Sequence, residues 1–427
     1  MQSNGCTSCF AGLTAERVRD FRPTERGIRK VIADATTTFH ERNGTLADVA
    51  RPLADFRDGA PVIRFAHQPN LLSYLGILGQ FALVQNLAQL AANIALRPVV
   101  PAYFVVDYDE AGNQRFHKSL LPDPRSRNGA VTLSYPLSRT DRKKTAFSLA
   151  APAESITSDW MATFDRWTER YKSASRAHAL TPLTEEGTEA ARIALTELRT
   201  TYRSHQTFSD GNAAHLSRFI NSTWGMPVLF IPLSVAAARL EGYLRDLADR
   251  LTEREGNATT YAWYICPHCY TRTAFSPALA PTSLRCEFCS GPEEVGAHTK
   301  VGSGGFTGNI RPRIAPKVLM DTLADYELYG VVAGTGYAGG LAHMRRTRAV
   351  GQRMGISTAE LSVRFSYQQD EQLRFAKGDC SRTNSLVRSG RGSMLYYLSI
   401  LGLENLRRQL SSSIFRNSCG KHESQED

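Results

Sequence analysis

The sequence contains no apolar run long enough to cross a membrane uninterrupted. Its most apolar stretch, Leu71 to Val106, is broken by Gln80, Gln85, Asn86, Gln89, Asn93, Arg97 and two prolines, whereas a spanning helix needs about 20 consecutive, mostly apolar residues. A secretory leader is lacking as well, because the opening MQSNGCTSCF has no basic segment followed by an apolar one. These absences set the expectation of a cytoplasmic protein with no membrane partner. With 42% hydrophobic and 22% charged residues, disorder is excluded for most of the chain. No internal repeat is apparent, and nothing in the sequence speaks to the oligomeric state.

What is present is an ordinary globular composition over 427 residues, enough for one large domain or two or three of medium size. The net charge of +10 favours acidic partners, among them nucleotides, nucleic acid and anionic metabolites. Residues 341 to 420 hold thirteen Lys+Arg against five Asp+Glu, so most of the excess lies there. Arg345, Arg346 and Arg348 in this stretch suit either an RNA-binding face or a solvated helix.

Strand-like apolar runs alternate with helical patterns. PVIRFA reads as a strand, and apolar residues then recur at helical spacing through Leu71, Leu72, Leu75, Leu78, Phe81, Ala82 and Leu90. VVPAYFVV follows as a second strand that stops at Asp107. Strand, long helix and strand make a βαβ unit, whose two strands are predicted to be parallel. MPVLFIPLS, YGVVA and AELSVRF read as further strands. The fold class expected is α/β, a Rossmann-like, doubly wound parallel sheet with a helical insertion and a four-cysteine zinc ribbon. Its expected parts are a helical lead-in (1–57), the first part of the core with a helical insertion (58–235), a helix and zinc ribbon (236–300), the second part of the core (301–370) and a basic C-terminal region with a frayed tail (371–427).

The ribbon rests on spacing. Cys266-Pro-His-Cys269 and Cys286-Glu-Phe-Cys289 are two CxxC knuckles sixteen residues apart. Four thiolates so placed close a tetrahedral shell around Zn²⁺ and leave no position for water, so the ion is expected to be structural. Two disulfides are disfavoured, since nothing marks the chain as secreted. Cys6 and Cys9 repeat the spacing without a second pair, and Cys380 and Cys419 read as ordinary thiols.

His67-Gln68-Pro69-Asn70 occupies the turn from the first strand into the long helix, at the sheet edge where α/β proteins bind ligands. Asn70 reads as the helix N-cap, and His67 is placed to donate to a phosphate or to stabilise charge developing beside it. The alternative is a histidine that bonds only the loop backbone. Asp107 and Asp109, in Asp-Tyr-Asp-Glu, end the second strand at the same edge, either to hold an amine or a metal-bound nucleotide or simply as a solvated turn. Gln68, His117 and Lys118 line the same expected mouth. Gly334, Gly336, Tyr337 and Gly339 belong to a GxGxxG loop between strand and helix, read as a nucleotide or substrate loop. Arg311 and Arg313 would clamp a carboxylate or phosphate, or pair with the acids of 321–327.

AHQPNLLSYLG followed by PVVPAYFVVDYDE, together with the block from Asn309-Ile-Arg-Pro-Arg through GVVAGTGYAGGLAHM, resembles the cysteine-adding (BshC-like) enzymes of bacillithiol biosynthesis. The HQP opening also resembles that of WbqC-like proteins. The first resemblance implies a nucleotidyltransferase-type core related to class I aminoacyl-tRNA synthetases. It further implies a ligase that joins cysteine or another amino acid to an amine-bearing small molecule or carrier, drawing on ATP or aminoacyl-tRNA. His67 then stands near the signature histidine of the synthetases, although no KMSKS-like loop follows. A zinc-ribbon tRNA- or RNA-binding protein without catalysis, and a nucleotidyltransferase acting on a sugar, are the alternative functions.

Overall fold

The computed structural model describes residues 18–21, 26–107, 109–177, 181–239, 262–266, 268–275, 381–388 and 390–417, with short segments at 284–285, 288–289, 292–293, 310–312, 331–335 and 364–365. In chain order these form α1 (Arg26–Arg42), α2 (Leu46–Arg57), β1 (Val62–His67), α3 (Leu75–Ala95), β2 (Val100–Val105), α4 (Gln114–His117), β3 (Lys118–Pro122) and β4 (Ala130–Ser134). Then come α5 (Glu154–Ala177), α6 (Glu185–Ser204), α7 (Phe208–Arg218), β5 (Leu229–Pro232), α8 (Leu233–Arg239), β6 (Ala262–Ile265) and β7 (Arg272–Phe275). The last are β8 (Leu284–Arg285), β9 (Pro292–Glu293), β10 (Ile310–Pro312), β11 (Val331–Thr335), β12 (Arg364–Phe365), α9 (Ser381–Arg388) and α10 (Met394–Asn417).

The central sheet has the spatial order β12-β11-β1-β2-β5, and every neighbouring pair is parallel. The chain therefore builds outward from β1 to β5 on one side and returns to build β11 and β12 on the other. The order reverses between β1 and β11, and in open parallel sheets the crevice at such a reversal is where ligands sit. Register places Val62 opposite Val100 and His67 opposite Val105, as a βαβ crossover requires.

Both faces of the sheet are covered, which is why β2 is buried at every position. On one face Phe65, Tyr103 and Phe230 meet Phe81 of α3, with ring centroids 4.7 to 5.4 Å apart. Removing the Phe81 ring from this cluster costs roughly 3–5 kcal/mol. At the β5 edge, His40 of α1 accepts the Phe230 N–H at 3.1 Å, so a buried imidazole takes the place of a missing strand partner. Burial lowers the His40 pKa to about 3, which keeps that ring nitrogen an acceptor.

α3 is, among the described residues, the one helix long and apolar enough by composition to cross a membrane, and 72% of that window is buried inside the protein. α10 packs against it and against α6. Gly187 of α6 lies so close to the Leu398 and Ser399 carbonyls that a Cβ there would collide with backbone. The C-terminal chain thus supplies core: Met394, Leu395, Tyr396, Tyr397 and Leu398 are all at most 1% exposed.

Candidate functional site

β1 ends at His67, and the loop that follows is bound by tertiary contacts before any helix begins. The Tyr103 hydroxyl is shared between the His67 carbonyl at 2.9 Å and the Gln68 carbonyl at 3.2 Å. Asn212 of α7 donates to the Pro69 carbonyl at 2.9 Å. The Leu71 N–H goes to Phe116, the Met394 N–H comes to Ser73, and Ser119 Oγ sits 3.2 Å from the Leu72 carbonyl. Leu72 takes a left-handed φ of 45°, a conformation that a branched residue adopts only when its surroundings impose it.

These contacts correct the expected helix start. α3 begins at Leu75 with Tyr74 as its N-cap residue, so Asn70 does not cap it, and Leu71 and Leu72 belong to the loop. The apolar spacing of Leu71 and Leu72 matches a helix, but their backbone groups are committed to β3, α4 and the α10 segment instead.

The loop holds a concentrated set of unmatched polar atoms. Gln68 and Asn70 are 5% and 3% exposed. Gln68 Oε1 and both amide heteroatoms of Asn70 have no hydrogen-bond partner among the described residues. Each such atom costs roughly 1–3 kcal/mol if left unpaired, and buried polar groups without partners are rare enough that each calls for a cause. His67, by contrast, is paired at both ring nitrogens. Its Nδ1 lies 3.0 Å from the Gln68 carbonyl, which can only accept, so Nδ1 carries the proton and Nε2 accepts from the Tyr74 hydroxyl at 3.0 Å.

The neighbouring strand end is in a different state. Asp107 is 3% exposed, with Oδ1 accepting the Ser234 N–H at 2.9 Å and Oδ2 the Ser234 hydroxyl. Ser234 stands in the first turn of α8, so the acid ties the end of β2 to a helix N-terminus. Burial raises its pKa to about 7 against the opposing effect of the Ser234 hydrogen bonds. Asp109 is half-buried, and its carbonyl accepts from Ala146 at 2.9 Å.

Of the remaining expected residues, His117 is buried with Nδ1 3.2 Å from the Tyr135 carbonyl, and burial lowers its pKa. Lys118 lines a separate cleft beside the Leu71–Tyr74 loop. Gly334 lies on β11 opposite Arg64, on the strand adjacent to β1. Arg311 is on β10, which pairs with β6 beside the cysteine knuckle rather than with the central sheet. Gly336, Tyr337, Gly339, Arg313 and Cys286 lie outside the described residues, as do the basic residues Arg345, Arg346 and Arg348.

The cysteine knuckle sits between β6 and β7. Its turn is closed by Cys266 N–H to Thr271 at 3.0 Å and Tyr270 N–H to Cys266 at 2.9 Å. The sulfurs of Cys266, Cys269 and Cys289 lie within 4.8 Å of one another, a set that can hold a metal ion. Cys266 and Cys289 are 3.6 Å apart, near the ~3.8 Å edge of a tetrahedron with ~2.3 Å metal–sulfur bonds. That is far beyond a disulfide. The knuckle also touches the acidic turn: Thr145 N–H donates to Tyr270 at 3.3 Å, and the next two residues donate to the carbonyls of Asp109 and Asp107.

Sequence reading misses Tyr74, Tyr103, Asn212 and Ser234, which fix the two strand ends. Ser234 carried a usable signal, a serine at the start of a helix directly after a predicted strand. The others become partners only through register and loop path. No family model and no curated protein matches the chain.

Proposed function

We propose that this protein is a ligase with a Rossmann-like, nucleotidyltransferase-type core that binds an amino acid and an amine-bearing small molecule at the edge of β1 and β11. The observation that carries the binding half is the set of three unmatched amide atoms of Gln68 and Asn70 in the loop after β1, one of the two strands between which the order reverses. A ligand carrying both donors and acceptors, as a carboxylate and an amine do, satisfies them. The joining chemistry follows from the family resemblance, with ATP or aminoacyl-tRNA supplying the activated carboxyl. In this reading His67, as the neutral Nδ1–H form, orients Tyr74, while Gln68 and Asn70 bind and Asp107 holds the β2 end in place. Asp109, half-buried, is assigned to the amine.

Zn²⁺ completes the reading as a structural ion on Cys266, Cys269, Cys286 and Cys289. The sulfur spacing supports this, and the hydrogen bond from Thr145 to Tyr270 gives the ion a route to steady the acidic turn.

The test is to supply purified protein with ATP and a panel of amino acids and amines, cysteine included. Amino-acid-dependent nucleotide turnover or condensation, lost in His67→Ala, is the expected result. A flat panel together with tight, salt-sensitive RNA retention overturns it in favour of an RNA-binding protein.

A further inference from the structure

On the other side of the Leu71–Tyr74 loop lies a cleft of about 340 Å³. Its lining includes Arg115, Lys118 and Arg391 and, among the described residues, contains no aspartate or glutamate. Arg115 on α4 and Lys118 at the start of β3 are three residues apart, and Arg391 joins them from the turn before α10. None of them makes an ion pair among the described residues. Arg115 and Arg391 are exposed and Lys118 is half-buried, so the three like charges give the mouth of the cleft a positive potential that draws an anion.

The cleft has a built floor. The Arg115 guanidinium lies over the Tyr74 ring, 5.4 Å from its centroid, and the Tyr74 hydroxyl bonds His67 Nε2. Ser393 and Ser119 are joined at 2.7 Å across the far wall. Leu71, Leu72 and Leu120 supply apolar surface beside the charges. Arginine and lysine converging with hydroxyls on an open cavity is the donor set that recognises phosphate oxygens. The volume falls at the small end of the range for metabolite pockets, roughly 300–1,000 Å³.

We infer that this cleft binds the phosphate or diphosphate group of a small metabolite, with the leucines receiving an apolar part of the same molecule. The inference stands on the cleft alone and does not require the ligase reading. An anion here pulls on Arg115 and Tyr74, and therefore reaches the His67 ring through one hydrogen bond.

Calorimetric titration of the full chain with pyrophosphate at low salt tests it. One saturable site per chain is expected, weakened about tenfold by Arg391→Ala or by Lys118→Ala, the loss of one charge-assisted contact. Added salt weakens it further. Arg391→Lys retains most of the affinity, and Arg408→Ala, on the exposed side of α10, leaves it unchanged. Hydrogen exchange at Leu71–Tyr74 slows when pyrophosphate is added. Absence of saturable binding, or binding indifferent to Arg391→Ala and Lys118→Ala, overturns the inference. Citrate binding as tightly as pyrophosphate overturns the phosphate assignment in favour of a polycarboxylate. A silent amino-acid panel with intact pyrophosphate binding removes the ligase and leaves the cleft.

Discussion

β1 and β2 are adjacent, parallel and buried, and each ends in polar residues at the same sheet edge, yet the two ends are in opposite states. After β1, Gln68 and Asn70 carry three amide atoms with no partner among the described residues. After β2, Asp107 has both carboxylate oxygens engaged by Ser234. Burial is nearly the same, 3% to 5% exposure for all three residues. The difference therefore lies in pairing. Asp107 is matched within the fold, and in the proposed reading the three amide atoms left unmatched after β1 are the ones that meet the ligand.

That contrast breaks most visibly in activity. His67→Ala is expected to lower kcat/KM for the proposed ligation by roughly 100- to 1,000-fold, the usual effect of losing a positioned polar group at a reacting centre, while the loss of its bonds to the Gln68 carbonyl and the Tyr74 hydroxyl lowers the unfolding free energy by about 1–2 kcal/mol. Steady-state kinetics and urea denaturation on one preparation check both halves. The next largest effect is on stability: Asp107→Ala strands the Ser234 N–H and hydroxyl and is expected to cost about 2–3 kcal/mol. A urea midpoint shift worth less than about 0.5 kcal/mol would place Asp107 outside the framework.

The pH dependence sharpens the assignment of Asp107. Its folded pKa of about 7 exceeds the unfolded value of about 3.9, so the folded chain binds more protons between the two. Its contribution to stability is complete below about pH 4 and is lost as pH rises through 7. Replacing it by asparagine removes this slope, so the stability of Asp107→Asn relative to the parent rises from pH 4 to 8. A constant difference across that window contradicts the buried, raised carboxyl. His40 supplies the opposite trend, since its folded pKa of about 3 lies below the unfolded value near 6.5. Its contribution fades as pH falls below 6.5.

Much of the central sheet was legible in the sequence because it is local. PVIRFA, VVPAYFVV and MPVLFIPLS are apolar runs bounded by turn residues, and the long helix between the first two implied a parallel pair. The carboxyl edge of β1 was legible for the same reason. The state of the residues there was not. Asn70 has the side chain of an N-cap, but the loop's backbone partners, Phe116, Ser119 and Met394, lie 45 or more residues away and move the helix start to Leu75. Asp107 reads as a reactive acid until register brings Ser234 beside it. Arg311 reads as a clamp at the core, yet its strand extends the knuckle sheet, where β6 offers an open edge. The cleft of Arg115, Lys118 and Arg391 could not be read at all, because its third cation lies more than 270 residues from the other two.

The smallest expected effect is also the most direct test. Asn70→Leu replaces two unmatched amide atoms by an apolar group of nearly the same shape, a change that is neutral or stabilising by up to about 1 kcal/mol when the amide serves only a ligand. A urea midpoint at or above that of the parent chain is the expected result. A loss of 2 kcal/mol or more, on the order of a broken buried hydrogen bond, would show that Asn70 holds the fold together and would contradict the claim that the β1 edge is kept open for a ligand.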